Sequence, residues 1–372
     1  MTKKQISKLV AFPSLVIIIL TLLDIAVLGK ETASEDSVKN FAREEKNSLD
    51  AMFVGSSTVW HGIIPTELYT ETGLTSRVIG KTPFHTGLIP DLLEYIYRYQ
   101  TPQVVYIDYT ACFNPYVVDD SSFNSFLEDF YKCVPTDEDK QVLLDKYEYL
   151  QKFTETKTLD EILFPYHNNF RRVDWWTNLN LTDMNFTKGF YAQNAILQKL
   201  TKIDIPESEP IDIRENNDDA FRYINNILDF CDKHTETRFI FARTTRQLCD
   251  ETEAKTDTFS FEWVKNYIQD YRVNGNSELN IEKNENARND YIVEDFALLA
   301  DDIGIDESTD QRDAGHLNVN GARKFTKYLS SYLLKNVTLN INHTEDVNKD
   351  FTDSAKKTEE YLESILKSGL IH

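Results

Sequence analysis

Cysteine is scarce in this chain: Cys112, Cys133, Cys231 and Cys249 are the only four in 372 residues, and none is paired at a CxxC spacing. That argues against a zinc site built on cysteine pairs. Cys112 and Cys231 sit in apolar surroundings and read as buried thiols. A Cys231–Cys249 bridge stays open for a domain facing an oxidising compartment. Histidine is thinly spread as well, from His61, His85, His167 and His234 to His316, His343 and His372, with no HExxH pair. No metal is therefore expected. Neither a GxGxxG loop nor a Walker A loop is present, so no nucleotide and no other cofactor is expected. Positive charge is the remaining shortage. Forty Lys and Arg face 61 Asp and Glu, giving a net charge of -21 with no clustered basic stripe. Such a surface repels phosphate polyanions, and nucleic acid is not an expected partner.

What the chain does have is apolar material, 41% hydrophobic and 12% aromatic, enough to bury a sizeable core. Residues 1–10 are a short N-terminal segment carrying Lys3, Lys4 and Lys8. From Ala11 to Gly29 only Asp24 is charged, and at helical rise this run is roughly 28 Å long, close to a bilayer's hydrocarbon thickness. A single transmembrane helix over 11–29 is expected. A cleaved signal peptide competes with it, although the core is long and no small-x-small site follows. A buried soluble helix is disfavoured by Leu15–Leu23, which is apolar around its whole circumference. The lysines tip the amino terminus only slightly toward the cytoplasm, leaving the soluble domain outside.

Residues 30–49 are charged, lack apolar periodicity and read as a linker. Strand-like runs follow at Ala51–Val54, Arg77–Ile79, Val104–Ile107, Arg238–Phe241 and Asp290–Val293. Helical stripes lie between them: Leu88 to Tyr97, Phe221 to Cys231, Trp263 to Tyr271 and Ala322 to Leu333, the last with Asn320 as a candidate N-cap. Strands alternating with helices predict an α/β domain over 50–335 with a mainly parallel sheet covered on both faces. Residues 111–219 are too long and too aromatic for an ordinary connection and read as a helical, aromatic insertion. Residues 336–372 form a polar tail, whose Tyr361, Leu362, Ile365 and Leu366 supply one modest stripe for a peripheral helix.

Two short blocks carry chemistry. Gly55-Ser56-Ser57 leaves the first strand, where a glycine permits the tight exit that presents a hydroxyl at the sheet's carboxyl end. Asp313 and His316 lie close enough for one loop to present both. Asp313 would orient the imidazole while His316 takes the proton from Ser57. Taken alone, each block is more often a turn or a cap; together, at opposite ends of an α/β pattern, they point to nucleophilic catalysis. His61 also follows Ser57 closely, but lacks an acidic neighbour to orient it. His167 reads as a substrate or gating residue, or as an interface histidine. Trp175 and Trp176 read as an acyl or sugar surface, or as core packing. The four Asn-x-Thr sequons, at Asn180, Asn185, Asn336 and Asn342, matter only in a secretory-pathway host.

The two blocks resemble those of the GDSL/SGNH hydrolase superfamily, and more closely its membrane-anchored, DltD-like branch associated with envelope glycan O-acylation. The resemblance covers 50–335 and includes Leu163-Phe164-Pro165-Tyr166-His167 and the run from Asp313 to Leu333. It implies an SGNH-like three-layer α/β/α domain with Ser57 as nucleophile and Asp313 and His316 as acid and base. It also implies an oxyanion hole from the backbone N–H groups of Ser57 and Gly80. Two departures stand out. Ser56 replaces the aspartate of the usual GDS opening, and no GxND block follows Asp108, leaving Asn114 or Thr110 as candidate third donors. Loss of one such donor costs about 3 kcal/mol of transition-state stabilisation.

The expected activity is serine-dependent transfer of an acyl group, acetyl first, to an envelope polysaccharide. A membrane O-acyltransferase that exports acyl groups is the expected partner. Alternatives are a carbohydrate O-acyl esterase, D-alanyl transfer to teichoic acid, and a non-catalytic envelope assembly or binding protein. The strong negative charge disfavours direct binding of a phosphate-rich polymer.

Overall fold

The computed structural model describes residues 33–80, 85–108, 120–155, 184–193, 195–197, 199–205, 207–215, 218–251 and 253–368. The expected span at 11–29 lies outside them. No helix among the described residues is long and apolar enough to cross a membrane.

Five strands, β1 (Ala51–Gly55), β2 (Ser76–Gly80), β3 (Val104–Asp108), β4 (Arg238–Arg243) and β5 (Ile292–Asp295), form one sheet in the order β2-β1-β3-β4-β5. All neighbouring pairs are parallel. Each strand arises from one of the apolar runs, although β5 starts two residues beyond Asp290. The runs are continuous rather than alternating because β1, β2 and β3 are buried at every position, on both faces. On one face Phe53, Val78, Tyr106 and Ile240 pack with Val59, Leu68, Phe325 and Leu329. Burying each such large side chain contributes about 2 kcal/mol. The order reverses between β1 and β3, which opens a crevice beyond their carboxyl ends. Gly55 pairs with Gly80 there, and Asp108 ends the adjacent strand.

The longer helices among the described residues are α1 (Ala33–Phe41), α2 (Ser57–Gly62), α3 (Pro65–Thr72), α4 (Ile89–Tyr99), α5 (Asp120–Cys133), α6 (Asp137–Lys146), α7 (Glu148–Glu155), α8 (Asp218–Lys233), α9 (Thr258–Asn266), α10 (Val319–Asn336) and α11 (Glu345–Ser368). The linker expected over 30–49 differs most from expectation. It contains α1, whose Phe41 is fully buried, its ring 5.4 Å from Tyr95 and 6.0 Å from Tyr99. Val38 and Phe41 are the apolar side chains that α1 buries, too few to make a periodicity.

The C-terminal stripe forms a helix, but more than a peripheral one. In α11 both Phe351 and Leu362 are buried, and Leu362 packs with Ile64, Val319 and Ala322. The N-cap of α10 is Asn318 rather than Asn320: its side chain accepts from the backbone N–H groups of Asn320 and Gly321. In the expected insertion, helices occupy 120–155, whereas the described residues within 188–212 are irregular. The chain divides into two compact units. Residues 33–140 and 184–372 form the unit that contains the sheet; 1–32 and 141–183 form the other, where α7 carries a surface Lys152–Glu148 pair at 2.7 Å. Cys231 is a buried free thiol, so the Cys231–Cys249 bridge is not formed.

Candidate active site

The site is assembled where β1 ends. A Cβ on Gly55 would lie 2.3 Å from the Asp108 Cβ, so only glycine allows the two strands to finish this close together. Ser56 is extended (φ -81°, ψ -167°) and caps α2. Ser57 is therefore the first helical residue, in the turn whose N–H groups lack intrahelical partners. Its Oγ lies 2.7 Å from His316 Nε2, although 259 positions separate the two residues.

His316 comes from a small hairpin, β6 (Gln311–Asp313) with β7 (His316–Leu317), in which Asp313 and His316 are opposite one another. Asp313 Oδ1 lies 2.7 Å from His316 Nδ1 and also accepts from the Gly315 N–H at 2.9 Å. The hairpin is anchored at its start: Gln311 Oε1 accepts from the Gln247 N–H at 2.7 Å, just past β4. With Asp313 accepting at Nδ1, the neutral imidazole carries its proton there and offers Nε2 as the base toward Ser57. The Asp313 and His316 side chains are 24% and 26% exposed, so the imidazole remains open to solvent.

Electrostatics support this arrangement. Burial pushes the Asp313 carboxyl up, but the hydrogen bond and charge of His316, the Gly315 N–H and the Arg312 charge outweigh it. The carboxyl is held below its ordinary value and stays ionised. His61 behaves oppositely. Burial, then the charge of His316, lowers its pKa to about 3. Its Nδ1 donates to the Tyr191 carbonyl at 2.7 Å, and its ring stands edge-on to that of His316, centroids 5.3 Å apart. His61 is thus a neutral wall beside the His316 imidazole, with no acid paired to it.

Gly80 closes β2 beside the nucleophile turn. A Cβ there would lie 3.1 Å from Trp60 Cβ and 3.2 Å from the Ser56 carbonyl oxygen. Backbone can approach backbone at this point only because the side chain is missing. Asn114, Thr110, His167, Trp175 and Trp176 lie outside the described residues.

Two contributors belong to no motif. Asp108 accepts from the hydroxyls of Thr58 and Ser56, at 2.5 and 3.0 Å. A polar residue ending a buried apolar strand is its one signal in the sequence. The segment around 191–197 joins α2 to the hairpin, through Tyr191 N–H to the Trp60 carbonyl and Leu197 N–H to the Arg312 carbonyl, both at 2.8 Å. Nothing in its composition announces that bridge. Among the described residues, no group of three or more His, Cys, Asp and Glu side chains could hold a metal.

No protein-family model, curated protein or solved structure matches this chain.

Proposed function

We propose that this is an SGNH-type serine acyltransferase that passes an acyl group, acetyl as the first choice, to a hydroxyl of a cell-envelope glycan. The observation that carries the reading is the line Ser57–His316–Asp313, with 2.7 Å at each junction. Ser57 Oγ attacks the acyl carbonyl as its proton passes to His316 Nε2, and Asp313 stabilises the resulting imidazolium. The negative charge developing on the carbonyl oxygen falls to backbone donors, for which Ser57 and Gly80 are the candidates. Collapse breaks the bond to the leaving group, which takes the proton from His316. The glycan hydroxyl then gives its proton to His316 and attacks the Ser57 ester; the acyl–Oγ bond breaks, Ser57 Oγ takes the proton back from His316, and the acylated sugar leaves.

With water as acceptor, the same residues make an O-acyl esterase. The aligned triad favours either enzyme over a non-catalytic assembly protein. The apolar run 11–29 favours transfer, because anchoring beside an acyl-exporting membrane partner raises the effective concentration of the donor. Full-length protein in membranes with such a partner should generate O-acylated glycan in a Ser57-dependent manner, measured by mass spectrometry of glycan-bound and free acyl groups. Rapid deacylation of native polymer with no acyl addition would replace the transferase by the esterase.

A further inference from the structure

We infer that Asp108 is a positioning residue for Ser57, holding the turn that presents the nucleophile. The inference rests on the reading of Ser57 as nucleophile. Asp108 ends β3, is fully buried, and stands against Gly55 at the topological switch of the sheet. A single carboxylate oxygen, Oδ2, receives Thr58 Oγ1 at 2.5 Å and Ser56 Oγ at 3.0 Å. These two hydroxyls belong to the residues immediately before and after Ser57. One acceptor therefore grips the nucleophile turn on both sides and leaves the Ser57 hydroxyl for His316.

The turn needs an outside anchor. Helix α2 has six residues, too few to be stable by itself. Its N-cap bond, from the Thr58 N–H to Ser56 Oγ, is long at 3.4 Å. The Ser56 and Thr58 hydroxyls also lie 2.8 Å apart, but each has one proton. A carboxylate oxygen, with two lone pairs, can accept both protons at once. Because β3 is central in the sheet, Asp108 ties the Ser57 turn to a strand that is hydrogen-bonded on both sides.

A positioning role separates from a purely structural one in the kinetics. With full-length protein and an activated acetyl ester, Asp108→Ala should lower kcat by about 100-fold, the scale of a misplacement near 1 Å, and leave KM within about twofold. Asp108→Asn should recover most of the rate, since its Oδ1 can accept from both hydroxyls. Thr58→Val, which keeps the carboxylate and removes one donor, should lose about tenfold in kcat. It also carries the test if Asp108→Ala does not fold.

Folding is followed by thermal melting, and the Ser57 acylation rate by a fluorophosphonate probe. Melting that falls while kcat per folded molecule is unchanged in Asp108→Ala or Thr58→Val would overturn the inference. So would Asn and Ala variants equally impaired, which would make charge the essential property. If wild-type Ser57 never reacts with the probe, the proposed function fails and takes this inference with it. If wild type reacts and Asp108→Ala matches it, the inference alone fails.

Discussion

Two polar clusters flank the sheet, and they use charge in opposite ways. Around Lys188, which is 2% exposed, Glu44 accepts from both Lys188 and Arg77, and Asp350 lies 2.6 Å from the same ammonium. Two cations and two carboxylates pair with each other, Glu44 buried and Asp350 59% exposed, joining the segment after α1, strand β2 and helix α11. The Lys188 ammonium also lies 4.6 Å from the Phe351 ring centroid. At the triad the groups instead form an open line, one carboxylate, one imidazole and one hydroxyl, about a quarter exposed at the acid and base. A closed network spends its charges on one another and stabilises a fold. In an open line the imidazole Nε2 faces one hydroxyl and stays partly open to solvent.

This contrast can be tested from either side. The largest effect is expected at the base: folded His316→Ala should lose orders of magnitude in acyl-enzyme formation, about a millionfold in a fully triad-dependent reaction. Stopped-flow or burst kinetics beside circular dichroism would measure it, and unchanged turnover would remove His316 from the line. Asp313→Asn should cost less, about 10⁴-fold in kcat, through loss of the correct imidazole tautomer. Neither change should lower melting much. Lys188→Met should do the reverse, destabilising by about 2 kcal/mol because it removes one of the two cations on buried Glu44 and leaves Arg77 alone there, while kcat per folded molecule is preserved. Chemical denaturation together with ester turnover decides it; a large loss of kcat at unchanged stability would erase the contrast.

The smallest expected effect is a pH dependence. His61 is lowered to about 3 in the folded state against an ordinary 6.5, so on acidification the unfolded chain takes its proton first. The stability tied to neutral His61 is present above pH 6.5 and is lost progressively as the pH falls toward about 3. His316, Arg312 and Asp313 are the charged neighbours that act on it, with the Tyr191 carbonyl as its hydrogen-bond partner. Glu67, raised to about 7 chiefly by burial, works in the opposite sense. The difference in unfolding free energy between wild type and His61→Phe isolates the histidine. A flat difference across that window would contradict its burial as a neutral wall.

Much of the fold is legible in the sequence because its strands are short apolar runs, such as Val104–Ile107, which are continuous because they are buried on both faces. Ser57, Asp313 and His316 are legible because their chemistry is tied to a strand exit and to a compact loop. The rest depends on partners far away in the chain. Helix α1 needs Tyr95 and Tyr99 before Phe41 has any reason to be helical. Asp108 acquires its role only once β3 lies beside β1. The place of His61 is hidden because its partner is a backbone carbonyl on residue 191, which no side-chain pattern can encode. Asn320 resembles a cap for α10 by its position before the apolar stripe, but the cap is Asn318, immediately after the apolar Leu317 of the hairpin.

The whole reading of the site turns on Ser57, and not its neighbour Ser56, being the nucleophile. Ser56 Oγ is engaged with Asp108 while Ser57 Oγ faces His316 Nε2. A fluorophosphonate probe followed by intact-mass analysis and peptide mapping reads the difference directly. Wild type should gain one adduct on Ser57, Ser56→Ala should keep it, and Ser57→Ala should lose it. An adduct on Ser56, or none on a folded wild-type protein, would refute the assignment.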